Sequence, residues 1–332
     1  MKALVVGLGS IGERHIRNLK LISPGIRIAV LRQHAKTACA GQLQPLINRV
    51  FSKTNDAAAW NPDITLITNP ASLHVRTALI FAKAGSHILI EKPFASSLRG
   101  IPELMCECRK KNLVLMIGYC LRFFRPIQIL KQAVDNGCIG RLISIHARVG
   151  QYLPDWRPQK DFRSGVSAQS GLGGGAVLEL SHELDYLNWI AGEAKEVTAK
   201  IGRLGDWDID VEDIAEAVII FKNRAIGSVH MDMLDRAANR SCRIIGTKGT
   251  LVWDMEQGNC VRLYSSRTGA WRELFSGRQL ERNDVFIKEL KHFIRCARYG
   301  KKPLVDPTAG LRALKLALAV KRSAKEGRSV RL

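Results

Sequence analysis

Three glycines near the start of the chain constrain its fold more than anything after them. Residues 1–19 read MKALVVGLGSIGERHIRNL, with Gly7, Gly9 and Gly12 in G-x-G-x-x-G spacing. Before them lies a short apolar strand, Ala3 to Val6, and after them a helix whose apolar side is Ile11, Ile16 and Leu19. Strand, glycine turn and helix in that order form the context in which this spacing binds a dinucleotide. Gly7 permits the tight turn, Gly9 lets backbone approach a pyrophosphate, and Gly12 allows close packing of helix on strand. Ser10, Ile11 and Gly12 then open the helix with their N–H groups aimed at phosphate.

The next strand, IRIAVLRQH, should carry the residue that meets the adenosine ribose, about twenty positions past the glycines. That residue is Arg32. An acid there would accept a hydrogen bond from the free 2′-hydroxyl of NAD, whereas an arginine suits a 2′-phosphate and favours NADP. The alternative is an Arg32 that stacks over the adenine and tolerates both cofactors. Then come the strand DITLITNP (63–70), the helix SLHVRTALIFAKAG (72–85), the strand HILIEKP (87–93), the helix GIPELMCECRKKN (100–112) and the strand LVLMIGY (113–119). Near-continuous apolar strands alternating with amphipathic helices predict a parallel sheet covered on both faces. Residues 1–120 are therefore read as an NAD(P)-binding Rossmann domain. Ligands of such sheets lie at the carboxyl ends of the strands, where Asn69, Pro70, Glu91 and Lys92 fall, with His74 just beyond.

A net charge of +21 raises nucleic acid as a partner, but the excess is spread over both halves with no basic tail. It reads as a surface property, or as attraction for an anionic substrate, rather than a nucleic-acid reader. Eight cysteines without a C-x-x-C pair make neither a disulfide framework nor a metal site. Cys106 and Cys108 share a helix and should point to different faces. No apolar run reaches the ~20 residues of a membrane span. The opening residues lack a signal-peptide cleavage pattern, and a cytoplasmic protein is expected.

Beyond residue 120 the pattern changes. Strand-like stretches RLISIHARVG (141–150), EVTAKIGRL (196–204), IAEAVIIFKN (214–223), AIGSVHMDML (225–234), RSCRIIGTKGTLVWDM (240–255) and VRLYSS (261–266) succeed one another without long helices between them. Ahead of most of them, GGGAVLELSHELDYLNWIAG (173–192) carries Glu179, His182 and Asp185 at three-residue intervals. Leu180, Leu184, Leu187 and Ala191 form one apolar helical stripe facing a core, with His182, Asp185 and Trp189 on the opposite side.

Four features together, the glycine fingerprint, the Glu91-Lys92-Pro93 strand end, GYCLRF (118–123) and the triple glycine followed by H-x-x-D, resemble the glucose-fructose oxidoreductase/inositol dehydrogenase/rhizopine-catabolism (Gfo/Idh/MocA) family. The resemblance covers essentially the whole chain, including its ending from Phe286 to Gly327. It implies an α/β chain in two parts, with residues 121–332 an α+β domain built on a large open, mainly antiparallel sheet. That domain would bind substrate and make a homodimer or homotetramer, and its C-terminal helix can pack back on the first domain. The implied activity is that of an NAD(P)-dependent dehydrogenase or reductase acting on CH–OH groups of a sugar, nucleotide-sugar or cyclitol. Lys92 then resembles the family lysine that contacts the reacting oxygen, His182 the histidine assigned as acid/base, and Glu91 a residue near the nicotinamide-side ribose.

The chemistry agrees with those roles. An imidazole, with an unperturbed pKa of ~6.5, suits proton transfer near neutrality. An ammonium of pKa ~10.4 is a poor base unless depressed, so Lys92 is read as polarising and positioning the oxygen. The family commonly has an aspartate four residues before the histidine; here that position is Leu178. Glu179, three before, and Asp185, three after, both remain candidates to orient His182. In the loop-like stretch 150–171, Tyr152, Trp156, Arg157 and Arg163 are expected to bind substrate, with Arg122 a further cation. Two other readings stand beside the dehydrogenase: an imine or enamine reductase on the same fold, and a non-catalytic NAD(P)-binding regulator. Intact Lys92 and His182 favour catalysis.

Overall fold

The computed structural model describes residues 1–32 and 43–332. The chain divides into two compact units, Met1–Cys120 with Arg282–Gly310, and Leu121–Glu281 with Leu311–Leu332.

The first unit alternates strands and helices: β1 (Lys2–Val6), α1 (Ser10–Ile22), β2 (Arg27–Leu31), β3 (Arg49–Phe51), α2 (Thr54–Ala59), β4 (Ile64–Ile67), α3 (His74–Lys83), β5 (His87–Glu91), α4 (Ile101–Lys110) and β6 (Leu115–Gly118). Among the described residues the strands form one parallel sheet in the order β3-β2-β1-β4-β5-β6. Chain order reverses between β1 and β4, the point at which such sheets open a crevice at their carboxyl edge. The apolar runs earn their positions by burial on both faces: Leu4, Val5, Ile28, Leu66, Ile88 and Ile90 are fully enclosed. The one polar residue inside β4, Thr65, is satisfied by the Ser86 hydroxyl at 2.8 Å. On α4, Cys106 is exposed and Cys108 buried, as their spacing requires.

Residues 282–310, drawn from within the expected second domain, complete this unit. Asn283 exchanges amide hydrogen bonds with Asn18 of α1 at 2.8 and 3.2 Å. The following helix packs Val285, Leu290 and Phe293 inward, and the Ile117 amide of β6 donates to the Val305 carbonyl at 3.1 Å.

The second unit contains α5 (Arg125–Asp135), β7 (Leu142–Gly150), α6 (Ala176–Glu179), α7 (His182–Ala191), β8 (Ala194–Gly202), β9 (Ile214–Phe221), β10 (Ile226–Asp232), β11 (Asn239–Gly246), β12 (Gly249–Asp254), β13 (Cys260–Ser265) and β14 (Ala270–Phe275). In chain order there follow α8 (Asp284–Tyr299) of the first unit, α9 (Pro307–Glu326), inside which the division falls, and β15 (Val330–Arg331). The sheet runs β14-β13-β12-β11-β7-β10-β9-β8-β15 and is antiparallel except where β7 meets β10. Alternation gives it two faces. Ile145, Ala147 and Val149 of β7 and Ala215, Ala217 and Ile219 of β9 are buried, on the side where α5 and α7 pack. The other face exposes Ile143, Val218 and Ile226. No helix of the described residues is long and apolar enough to cross a membrane.

The glycine turn shows why its positions are not equivalent. Gly7 has φ +95°, open to glycine at little cost. A Cβ at Gly12 would stand 2.4 Å from the Gly7 carbonyl oxygen and 2.9 Å from the Thr68 hydroxyl, whereas one at Gly9 would meet nothing within 4 Å. Gly12→Ala should therefore destabilise the protein by about 1–3 kcal/mol through overpacking. Gly9→Ala should cost less than about 1 kcal/mol. Denaturant unfolding of the two variants checks the contrast, and equal losses would contradict it.

Candidate functional site

At the carboxyl edge of the first sheet, the Gly7 turn closes against the Thr68–Asn69 backbone, and Thr68 Oγ1 hydrogen-bonds the Val6 and Gly7 carbonyls at 2.9 and 2.8 Å. This locks the turn beside the end of β4. Gly9 is the N-cap of α1, with extended backbone (φ −84°, ψ −177°) and no side chain capping it. The first-turn amides of a helix have no intrahelical acceptor and carry the positive end of its dipole. Exposed Gly9 and Ser10 and half-buried Ile11 thus present a cradle suited to a pyrophosphate, with open space where a Gly9 side chain would stand. Arg32 follows β2, its amide donating to the Phe51 carbonyl at 2.9 Å. Pro70 begins the turn that leads into α3. The Asn69 side chain donates to Thr77 Oγ1 at 3.0 Å, and its buried Oδ1 meets no donor among the described residues.

Two of the cofactor candidates have other tasks. His74 is enclosed, its Nδ1 2.9 Å from the Pro93 carbonyl and its Nε2 2.8 Å from the Asn69 carbonyl. It braces the loop after β4 against the loop after β5, with both ring nitrogens on backbone carbonyls. Burial lowers its pKa. Glu91 is also buried, and its Oε1 lies 2.6 Å from Nε2 of His15 on α1. The carboxylate turns inward to an imidazole, where the sequence suggested a ribose. Lys92, half-buried, continues past the end of β5 into a cis peptide with Pro93.

In the second unit the triple glycine is a packing device. Gly173 and Gly175 have φ +88° and +104°, a Cβ on Gly174 would fall 2.4 Å from the Val166 carbonyl, and one on Gly175 would fall 2.5 Å from Glu212. Glu212 is itself buried, bound by Lys321 at 2.8 and 3.0 Å, and accepts the Val177 amide. The expected single helix is broken at Leu180–Ser181, so Glu179 ends α6 and His182 begins α7. The apolar stripe Leu180, Leu184, Leu187 and Ala191 is buried.

The opposite side of α7 is half-buried at His182 and Trp189 and closed at Asp185. Asp185 is enclosed and holds the Arg122 guanidinium through two bonds, Nε to Oδ2 at 2.9 Å and Nη2 to Oδ1 at 2.7 Å. Arg122 also lies 5.1 Å from the Trp189 ring centroid. Burial pushes the Asp185 carboxyl up, and the Arg122 charge pulls it back. Two expectations are corrected by one contact: Asp185 is not the acid that orients His182, and Arg122 is buried against Asp185 rather than displayed to substrate. Glu183, absent from the sequence reading, is fully buried and lies 2.9 Å from Arg240.

The loop candidates divide. Tyr152 packs on Trp207 at 5.5 Å with the Arg236 guanidinium 3.7 Å from its centroid, so its ring is already engaged. Trp156 donates from Nε1 to the Gln151 carbonyl at 3.2 Å. Arg163 is exposed, 5.6 Å from the Phe162 ring, which packs on Trp207 at 5.4 Å. Arg157 is exposed. Trp207 is the centre that the sequence concealed: its Nε1 donates to Asp213 at 2.8 Å, and Asp213 also accepts the Leu204 and Gly205 amides.

Residues 1–119 match a family described as "Oxidoreductase family, NAD-binding Rossmann fold", and residues 131–332 match its "C-terminal alpha/beta domain". The chain is 29% identical to the myo-inositol 2-dehydrogenase of Thermotoga maritima, over 100% of this chain and 98% of that one. A levoglucosan dehydrogenase solved with NADH superposes with a TM-score of 0.89 at 20% identity, covering 100% and 98% of the two chains. The WlbA dehydrogenase of Bordetella pertussis, solved with NADH and UDP-GlcNAcA, gives 0.85 at 24% identity with the same coverage. At those identities the two solved structures share the fold.

Arg122→Leu strands the Asp185 charge and should cost about 3–5 kcal/mol of stability. Adding Asp185→Leu should recover much of that, because no buried charge is left unpaired. Chemical denaturation of the single and double variants measures the recovery; strictly additive losses would contradict the pairing.

Proposed function

This chain belongs to the Gfo/Idh/MocA oxidoreductase family, and on that premise we propose that it transfers a hydride between a nicotinamide cofactor and the CH–OH or C=O carbon of a sugar, nucleotide-sugar or cyclitol. The observation that carries the reading is the carboxyl edge of the first sheet. There an open helix N-terminus suited to a dinucleotide and the lysine that ends the E-K-P strand belong to one compact unit. The named relatives, a myo-inositol dehydrogenase and a levoglucosan dehydrogenase, act on polyhydroxylated rings, which supports the substrate class.

The residues that would hold the cofactor are Gly7, Gly9, Ser10, Ile11 and Gly12 at the pyrophosphate, Arg32 at the adenosine ribose, and Asn69 and Pro70 at the end of β4. When bound, the nicotinamide takes or returns the hydride. Lys92 holds the reacting oxygen and favours its negative charge through the ammonium. His182 takes the hydroxyl proton in oxidation and returns it in reduction. With Asp185 engaged by Arg122, Glu179 is the carboxylate of the two candidates assigned to orient His182. Arg157 and Arg163 are exposed cations that suit an anionic group on the substrate. Arg32 favours NADP, and the exposed Ile143, Val218 and Ile226 suit the open sheet face to a second copy of the chain.

A fluorescence screen of the reduced cofactor against sugars, sugar acids and nucleotide-sugars tests the activity, and a chain inert to all three classes would overturn the reading. Lys92→Ala and His182→Ala should each lower kcat by about 10²–10⁴-fold while leaving cofactor affinity nearly unchanged. Wild-type turnover in either would remove that residue from the chemistry. Arg32→Asp should weaken NADP more than NAD, as measured by titration of each cofactor; equal weakening would end the 2′-phosphate assignment.

A further inference from the structure

Behind the E-K-P strand end lies a buried polar cluster that the hydride-transfer reading does not use. His15, one helical turn past Gly12 on α1, is fully enclosed and meets the Glu91 carboxylate at 2.6 Å. The second oxygen of that carboxylate accepts the Lys92 backbone amide at 3.3 Å. Gly118, opposite Glu91 across the β5–β6 ladder, makes room for this: a Cβ there would stand 3.2 Å from both Cα and Oε2 of Glu91. Glu289 on α8 is also fully enclosed, and neither of its oxygens meets a donor among the described residues. Phe286, one turn before it on α8, sets its ring edge-on to His15 with centroids 6.5 Å apart, and Arg14 lies over the same ring at 4.6 Å.

We propose that His15 is a positioning residue for the reaction: it grips the Glu91 carboxylate, which in turn holds the Lys92 amide and so fixes the backbone from which Lys92 meets the reacting oxygen. Glu289 supplies the electrostatic half of this arrangement. A carboxylate buried without a donor is far too costly to keep ionised, so Glu289 stays a neutral acid. Burial and the neighbouring Glu91 charge both push its pKa well up. The cluster then holds one negative charge, on Glu91, and His15 and the Lys92 amide both donate to it. A charge so gripped cannot swing, and a 1 Å misplacement of a reacting group can cost about 10²-fold in rate.

The inference rests on Lys92 acting at the substrate oxygen, so its test has arms that need no turnover. In the full-length protein, proton NMR should show a far-downfield imidazole resonance from His15 that disappears in Glu91→Gln. The infrared spectrum at neutral pH should show a protonated-carboxyl band that disappears in Glu289→Gln. Absence of either signal from the wild type overturns the cluster whatever the chain's activity. With a substrate identified, His15→Ala should lower kcat by about 10²-fold with KM and NAD affinity held within about threefold. His15→Gln, which keeps a donor, should recover most of the loss. Wild-type kcat in His15→Ala overturns the positioning role. Inertness of the wild type in the screen, with both spectroscopic signals present, would instead overturn the functional reading.

Discussion

The contact on which the first unit depends is the approach of α1 to the turn that precedes it. The Gly12 backbone sits where any side chain would strike the Gly7 carbonyl, so helix and strand meet at the shortest distance a backbone allows. Once Gly12 is seated, the helical repeat decides the rest of α1. Its N-terminal amides open at the crevice, Ile16 and Leu19 enter the core, His15 reaches Glu91, and Asn18 reaches Asn283. One steric fact thus couples the open end of the helix to the strand that leads into Lys92.

The second unit relies on paired buried charges in the region of His182. Asp185 with Arg122, Glu183 with Arg240, and Glu212 with Lys321 each place a carboxylate inside the protein against a cation from elsewhere in the chain. Such pairs add little net stability over apolar packing, but losing one partner is severe. Their value here is definition. Glu212 seats the triple glycine, and Asp185 and Glu183 hold α7 on two sides. His182 therefore stands at the head of a helix whose position is over-determined.

Much of the architecture was legible in the sequence because it is written in local periods. Apolar runs in β1, β2, β4, β5 and β6 predicted a parallel sheet; the succession of strand-like stretches from β7 to β13 marked a strand-rich second half, and that they form an open, mainly antiparallel sheet was implied by the family resemblance. β14, with four exposed residues and no alternation, left no such trace. β3 is only three residues long and also escaped notice. Residues 282–310 looked continuous with the second domain, since a helix's apolar stripe says that it packs but not on what. Four polar assignments changed, His74, Glu91, Asp185 and Arg122, and distance along the chain explains three of them. Each was judged by its neighbours along the chain, whereas three of them, Glu91, Asp185 and Arg122, find their partners more than sixty residues away.

By itself the sequence determined the glycine turn, the succession of strands and helices, and the residue types present at the strand ends. Those follow from steric limits and side-chain periods acting over a few residues. Tertiary structure alone decided which buried acid meets which partner: that Glu91 turns to His15, that Asp185 belongs to Arg122, and that Glu289 is buried with no donor among the described residues. A charge selects its partner by distance and burial, and neither quantity exists until the chain has folded.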